Sequence, residues 1–496
     1  MSYFIGIDVG TSSVKSMLMA PDGTIIEMAQ SLYDVVCPHP LWAEIPVEKL
    51  WDATCSTLRA LSASQPEKIQ EVKAISFSGQ MHSLILLDEN NEPLRNAITW
   101  LDTRAKVESA EIECLSVEKG YRKVLLDPVT SCVFISFLYW LERHEPELMH
   151  RARRVMLVKD YIRYKICGEI GSDYSDAAST LAFDQVHRRW AWELLDDLHI
   201  RRELFAEEVH NAHEIAGVVT RECAKQTGLR AGTLVCYGGG DTLMNHIGNG
   251  LIRNNGRILS TIGTSSHVST GLTKPLADPE GRGFTYCHAL PDRWMMLVGG
   301  PNGGIVMKWL RDNILGRNYS FDEMAQIAVK APAGSNGVIC VPYISGATFP
   351  NNPNARSVYV GMGLSHGQPE LIRSTMEGMI FILRRSLDVL RSLGVEATSI
   401  IATGGGSKDQ MLVRIQADMY DLPVHFNLGK EISCMGAAIS AAVGSGYYKD
   451  YEEACDAIVR FSSEVIEPDP RNAALYSELL PVFEQVYEQN LCFFHG

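Results

Sequence analysis

The sequence predicts an α/β protein built as two related halves that face one ligand across a cleft. Three observations predict it. Apolar runs of strand length alternate with stretches of helical spacing along the whole chain of 496 residues. The tetrapeptide GTSS occurs at 10–13 and again at 263–266, each time after an apolar run (YFIGIDV, RILSTI) and before a β-prone one (VKSMLM, HVSTGL). The length suits two or three domains of about 100–250 residues, and 46% hydrophobic residues supply more than one core. Chance recurrence of four residues is the plain alternative to duplication, and the shared strand context argues against it.

The elements follow in order. A strand over 3–9 meets the turn 10–13, and an apolar run spans 14–20. Pro21-Asp22-Gly23 signals a tight turn into a third strand over 24–32, giving an antiparallel meander. Val47, Leu50, Trp51, Thr54, Leu58 and Leu61 recur at helical spacing. Strands are expected at 73–78 and 83–88, and helices at 134–143 and 161–167. The Gly- and Asn-rich stretch GNGLIRNNG places the boundary between halves within 243–255, so the halves are taken as 1–245 and 246–496. A strand over 233–237 closes the first half, and one over 257–262 opens the second. From about residue 447 the chain reads as helical, with a loop at Pro468-Asp469-Pro470.

The bulk properties set limits. A net charge of -14 disfavours nucleic acid and anionic membranes as partners. The absence of a run of about 18 apolar residues argues against a transmembrane helix. The opening MSYFIGIDVGTSS has no signal-peptide pattern, so the cytoplasm is the expected compartment. Twelve scattered cysteines without a C-x-x-C pair read as reduced thiols. The size is compatible with a homodimer.

Four motifs carry chemistry. Asp8 ends the first strand, and Gly10, Thr11, Ser12 and Ser13 form a turn whose N–H and hydroxyl groups can converge on phosphate oxygens. Lys15 adds positive charge, and Asp8 offers a hard oxygen to Mg²⁺, directly or through water. An ordinary hairpin is the bland alternative. Gly263, Thr264 and Ser265 repeat the turn, and two such turns facing each other would clamp a polyphosphate. Gly404, Gly405 and Gly406 follow the apolar run 399–402 and precede a helix, a common nucleotide-site layout that an unremarkable turn also satisfies. The pattern is neither a P-loop nor a Rossmann fingerprint. The sharpest feature is Gly238-Gly239-Gly240-Asp241-Thr242: three glycines clear the space around one carboxylate, as a base meeting a substrate hydroxyl needs. Asp241 also suits a helix cap, and the two roles are compatible. Gln80 and His82, between two strands, can bind hydroxyls or simply pack. Asp102 and Arg104 can bind sugar hydroxyls or form a surface ion pair.

Together these motifs resemble the FGGY family of carbohydrate kinases over about residues 3–446. The resemblance rests on IGIDVGTSSVKSML, HPLWAEIP, ISFSGQMHSLILLD, VKDYIRYKICGEIGSDYSDAAST and YGGGDT in the first half. STIGTSS, GGIVMKWLRDN, SVYVGMGLSHGQPELIRSTMEG, ATGGGSKDQM and EISCMGAAISAAV carry it in the second. It implies two actin-like (ribonuclease H-like) domains, with sugar held mainly by the first and ATP mainly by the second. It implies Asp241 as catalytic base, Asp8 as the Mg²⁺-associated aspartate, and Met81 and His82 as sugar contacts. Thr264 then falls near the γ-phosphate, and Gly304, Lys308, Gly405, Gly406 and Asp409 near the nucleotide. The implied activity is transfer of the ATP γ-phosphate to a ketopentose, D-xylulose first, giving the 5-phosphate. Leu101, Thr242 and the stretch 347–349 depart from the usual family pattern, which keeps ribulose, L-xylulose or a short alditol as alternative acceptors. A non-catalytic actin-like sensor of sugar and nucleotide is the alternative of another class.

Overall fold

The computed structural model describes residues 2–253, 255–348 and 352–494. Among these residues two large mixed sheets form the frame. The first contains β1 (Tyr3–Val9), β2 (Ser13–Met19), β3 (Ile25–Leu32), β4 (Val72–Gly79), β5 (Ile215–Val218) and β6 (Leu234–Cys236), in the order β5-β6-β4-β1-β2-β3. The strands β1, β2 and β3 form the antiparallel meander, while β4 lies parallel to both β1 and β6. Gly239 and Gly240 add a short parallel pairing to Ser78 and Gly79 of β4.

The second sheet contains β7 (Arg257–Ile262), β8 (Ser266–Leu272), β9 (Phe284–Cys287), β10 (Trp294–Gly300), β11 (Ser399–Thr403), β12 (Val424–Asn427) and β13 (Phe461–Ile466). Their order is β9-β10-β8-β7-β11-β12-β13. Read outward from the GTSS hairpin, the two sheets match strand for strand. The pair β7 and β8 is antiparallel like β1 and β2, β11 lies parallel to β7 as β4 does to β1, and both sheets end on an antiparallel edge strand. The extra strand is β9. The turns differ by one residue: Val9 pairs with Val14, whereas Ile262 pairs with Ser266.

Helix α1 (Val47–Ser64) covers the first sheet because Leu50, Leu58 and Leu61 fall on one stripe and are fully buried. Each such leucine contributes about 1.5–3 kcal/mol relative to exposure. Helices α2 (Asp241–Gly248), α3 (Gln368–Ser392) and α4 (Ile432–Gly444) complete the frame. The helix α2 follows β6 as α4 follows β12, and the two cross at glycine contacts. A methyl group at Gly436 would lie 1.9 Å from the Met244 carbonyl oxygen, and one at Gly248 2.2 Å from that of Ile432. Helix α4 also lies on β1, where a methyl at Gly6 would meet the Cys434 carbonyl oxygen at 2.0 Å. A helix of the second half therefore covers the sheet of the first.

The C-terminal stretch, expected to be mainly helical, contains a strand. Helices span Tyr451–Ile458 and Pro470–Gln489, but β13 lies between them, antiparallel to β12. Its sequence FSSEVI is half exposed, as an edge strand allows, and so shows no clean apolar alternation. Phe349 and Pro350 of the departing stretch lie outside the described residues. All twelve cysteines are free thiols.

Candidate active site

Asp8 sits at the mouth of β1, opposite Lys15 on one side and Ser78 on the other. The Ser78 hydroxyl donates to Asp8 Oδ1 at 2.6 Å. Burial nevertheless raises the Asp8 carboxyl above its ordinary value, and the Ser78 bond and Lys15 offset this only in part. The following turn closes through Gly10 N–H to the Ser13 carbonyl at 3.0 Å, while the Gly10 carbonyl accepts from Gln80 Nε2 at 3.1 Å and from the Tyr33 hydroxyl. Trp100 Nε1 donates to Thr11 Oγ1 at 2.8 Å, and Ser13 Oγ accepts from Gln30. Ser12 is exposed. Lys15, expected to meet phosphate, pairs at 2.5 Å with Glu431 just before α4. Burial lowers the Lys15 pKa, but the Glu431 bond together with the charges of Glu431 and Asp8 outweighs it and the net shift is upward.

Asp241 is the first residue of α2, directly after the glycine run. Gly238 is left-handed (φ 77°), and a side chain there would strike the Phe77 carbonyl at 2.6 Å. The Gly240 N–H donates to Ser175 Oγ at 2.9 Å, and a side chain at Gly240 would strike Met81. The Asp241 Oδ1 atom accepts from the Thr242 N–H at 2.6 Å and from its hydroxyl at 3.2 Å. Among the described residues Oδ2 accepts nothing. Burial and then the negative charge of Asp8 push the Asp241 carboxyl up to about 7. Gly240 takes the capping position, so the helix leaves this carboxylate free for a ligand.

Met81 packs against Gly240, and His82 follows it in the chain. His82 is left-handed (φ 67°), a costly conformation for a residue with a side chain. Its Nδ1 lies 2.7 Å from the Ser179 carbonyl. A carbonyl only accepts, so Nδ1 carries the hydrogen and Nε2 keeps its lone pair. Burial pushes the imidazole down to about 4, so it is neutral and an acceptor at physiological pH. The Tyr286 ring lies 5.8 Å from that of His82.

Beneath the glycine run lies a buried charge cluster that the sequence did not single out. Lys159 Nζ meets Asp160 at 2.6 Å, Asp173 at 2.8 Å and Asp176 at 3.1 Å. The three carboxylates have the grouping of a cation site, and the Lys159 ammonium fills the cation's place. Arg163 adds a bond to Asp160 at 2.9 Å. The Ser175 hydroxyl donates to Asp173 at 2.5 Å and accepts from Gly240, so the cluster anchors the loop that presents Asp241. Burial, only partly offset by Lys159, pushes the Asp176 carboxyl well up.

The second GTSS turn closes through Gly263 N–H to the Ser265 carbonyl at 2.9 Å, and Thr264 and Ser265 are exposed. The Gly304 N–H donates to the Gly263 carbonyl at 2.7 Å. A cavity of about 310 Å³ opens beside this turn. Gly263, Gly304, Gly405, Gly406 and Asp409 line it, and Ile262, Met307, Phe321, Met376, Met379 and Leu412 supply apolar walls. Asp409 also caps the helix Gln410–Tyr420 by accepting from Met411 and Leu412. Gly404 (φ 80°) packs on Ile262 behind the cavity, and Lys308 is exposed outside its lining. The apolar wall was invisible in sequence because methionine and phenylalanine stripes on helices look the same whether they face a core or a pocket.

Asp102 and Arg104 require a correction. They are neither a surface pair nor free hydroxyl ligands. Arg104 Nε and Nη2 grip Asp102 at 2.9 and 2.7 Å, and Nη2 also meets Glu44 at 2.7 Å. Asp102 accepts from the Ala43 N–H at 2.6 Å, and the guanidinium lies 3.7 Å over the Trp42 ring. The side chains are 0% and 1% exposed. They brace the wall that carries Trp100 and Leu101, which are exposed.

Duplicated α/β halves, glycine-rich turns beside a nucleotide-sized cavity and a lone carboxylate on the opposing half define a two-domain kinase of the actin-like ATPase type. The chain belongs to the FGGY family of carbohydrate kinases: the family's N-terminal domain matches residues 3–248 and its C-terminal domain residues 258–445. A xylulose kinase of Staphylococcus epidermidis is 32% identical over 98% of this chain and 96% of its own. A gluconokinase of Bacillus subtilis is 30% identical over 97% of this chain and 95% of its own. The crystal structure of a ligand-bound xylulose kinase from Lactobacillus acidophilus superposes with a TM-score of 0.93 at 27% identity, covering 100% of this chain and 99% of that one. The protein is thus a sugar kinase enzyme. Among the described residues no helix is long and apolar enough to cross a membrane.

Proposed function

We propose that the protein transfers the γ-phosphate of ATP to the terminal hydroxyl of a ketopentose, D-xylulose first, in the cytoplasm. In this reading residues 1–245 hold the sugar and residues 246–496 hold ATP. The observation that carries it is the Asp241 carboxyl, whose Oδ2 accepts nothing among the described residues and which follows a glycine run packed on Met81; the next residue after Met81 is His82, its Nδ1 held by the Ser179 carbonyl. Nε2 accepts from one sugar hydroxyl, and Asp241 takes the proton of the attacking one. The carboxyl, raised to about 7, is matched to that proton transfer near neutral pH. The apolar cavity receives the adenine, and the turns at Gly10–Ser13 and Gly263–Ser265 direct N–H and hydroxyl groups at the phosphates. The negative charge of Asp8 acts on Asp241, and Lys15, the residue opposite Asp8, is paired with Glu431. That charge fits Mg²⁺, with Asp8 holding it directly or through water. When bound, Mg²⁺ offsets charge on the phosphate oxygens.

The relatives include both xylulose kinases and a gluconokinase, so the acceptor is the point to measure. The purified protein, ATP and Mg²⁺ are incubated with D-xylulose, L-xylulose, ribulose, gluconate and a short alditol. ADP release is expected to be fastest with D-xylulose. Faster release with another acceptor replaces the substrate, and release with none overturns the enzyme reading.

A further inference from the structure

The sugar side described so far is built by the first half alone, yet one residue of the second half reaches into it. Strand β9 is the extra strand of the second sheet and forms its edge. On its inner edge Tyr286 pairs with Met295 of β10. On its outer edge the N–H groups of Thr285 and Cys287 have no further strand to meet. The first half meets them instead: the Thr285 N–H donates to Asp127 Oδ1 at 2.6 Å, and the Cys287 N–H to Gln185 Oε1 at 3.0 Å. The Trp294 indole adds a bond to the Gln185 carbonyl at 3.0 Å. Asp127 and Gln185 are 1% and 0% exposed, so this clip is a dry, fixed contact between halves.

The clip places Tyr286 between its two donors. The residue is 4% exposed, its ring lies 5.8 Å from His82, and the charge of Asp241 acts on its phenol. Among the described residues nothing hydrogen-bonds the hydroxyl. A tyrosine carries an apolar ring and a polar tip, and Tyr286 has its ring buried while its hydroxyl is not among the buried unpartnered atoms, so the tip is open to a ligand. An unpaired hydroxyl beside the base and beside an imidazole acceptor marks the place of a ligand oxygen.

Resting on the reading under Proposed function, we infer that Tyr286 is a specificity-determining residue of the sugar site, its phenol bonding an oxygen of the acceptor other than the attacking one. Burial, and then nearby negative charge, hold the phenol neutral, so it presents an O–H and a lone pair at any physiological pH. A site built to pair a hydroxyl rejects analogues that lack it, because its own polar group is then left bare.

The test is Tyr286→Phe, which keeps the ring. With the sugar the wild type turns over best, KM is expected to rise about 10-fold while kcat stays within about 3-fold, and the thermal midpoint should be unchanged. Monodeoxy analogues of that sugar identify the oxygen: one of them should be taken equally poorly by wild type and variant. An unchanged KM overturns the inference alone, as does a KM rise of the same size across every deoxy analogue, which would mean packing rather than a hydrogen bond. A wild-type protein that phosphorylates no sugar overturns both this inference and the reading beneath it.

Discussion

Asp241 is the proposed base because, among the described residues, its surroundings offer it no internal partner beyond its neighbour Thr242. Replacing it by Asn keeps the shape and removes the base. Asp241→Asn should bind ATP with nearly unchanged affinity by calorimetry while turnover falls by at least about 10²-fold. Near-normal turnover would remove Asp241 from the role. The same variant reports on stability. An unfolded aspartate releases its proton near pH 4, whereas the native Asp241 carboxyl holds it to about 7. The stabilisation of the protonated native form is therefore complete below pH 4 and lost as pH rises through 7. Asp241→Asn should melt at a higher temperature than wild type at pH 8, and the gap should close toward pH 4. A gap that is the same at both pH values would show that the carboxyl is not under this strain. The residue scale is also where sequence reading was most uneven. Asp8, His82 and Asp241 stand in short motifs whose polar chemistry is visible in their letters, whereas Met81 was marked only by the family resemblance. Asp102 and Arg104 looked just as polar, but only the fold shows that they bind each other and are enclosed by Glu44, Ala43 and Trp42. Tyr286 stands in FTYC, a plain strand segment, and nothing local marks it.

At the scale of elements, the crossing of α2 and α4 sets where Asp241 stands, because Asp241 is the first residue of α2. The crossing is closer than any side chain allows. Gly436→Ala places a methyl 1.9 Å from the Met244 carbonyl oxygen, so the helices must part. We expect a loss of about 1–3 kcal/mol in stability, typical of overpacking, together with reduced turnover. Denaturant unfolding and kinetics at saturating substrates measure both, and an unperturbed variant would show that the crossing yields without moving the base. The meander β1 to β3 was legible because turn residues punctuate it at Pro21-Asp22-Gly23. Strand β13 was not, because an edge strand between two helices needs only half of its surface apolar and so imitates a loop. Helix α2 was suggested only by Asp241 as a cap and α4 was not expected from spacing, and their mutual contact depends on glycines far apart in the chain.

Across the whole molecule the duplication was readable from four letters repeated once, and the sheets bear it out strand by strand. The exchange between halves was not readable: α4 lies on the first sheet, and β9 is clipped by Asp127 and Gln185. Such contacts join residues hundreds of positions apart, and periodicity is silent about them. They also constrain motion. A fixed clip on the sugar side and a partly exposed Lys15–Glu431 pair near the phosphate turn leave the two sides of the cleft unequally free to open.

The seating of α4 on β1 bears on how the chain is made. A ribosome delivers β1 roughly 430 residues before the helix that covers it, so the growing polypeptide carries one face of its first sheet bare for most of its synthesis. Expressed alone, residues 2–248 should bind a hydrophobic dye and precipitate, and a separately supplied second half should rescue them. A fragment that stays monomeric and dye-silent would mean that the nascent sheet finds another cover.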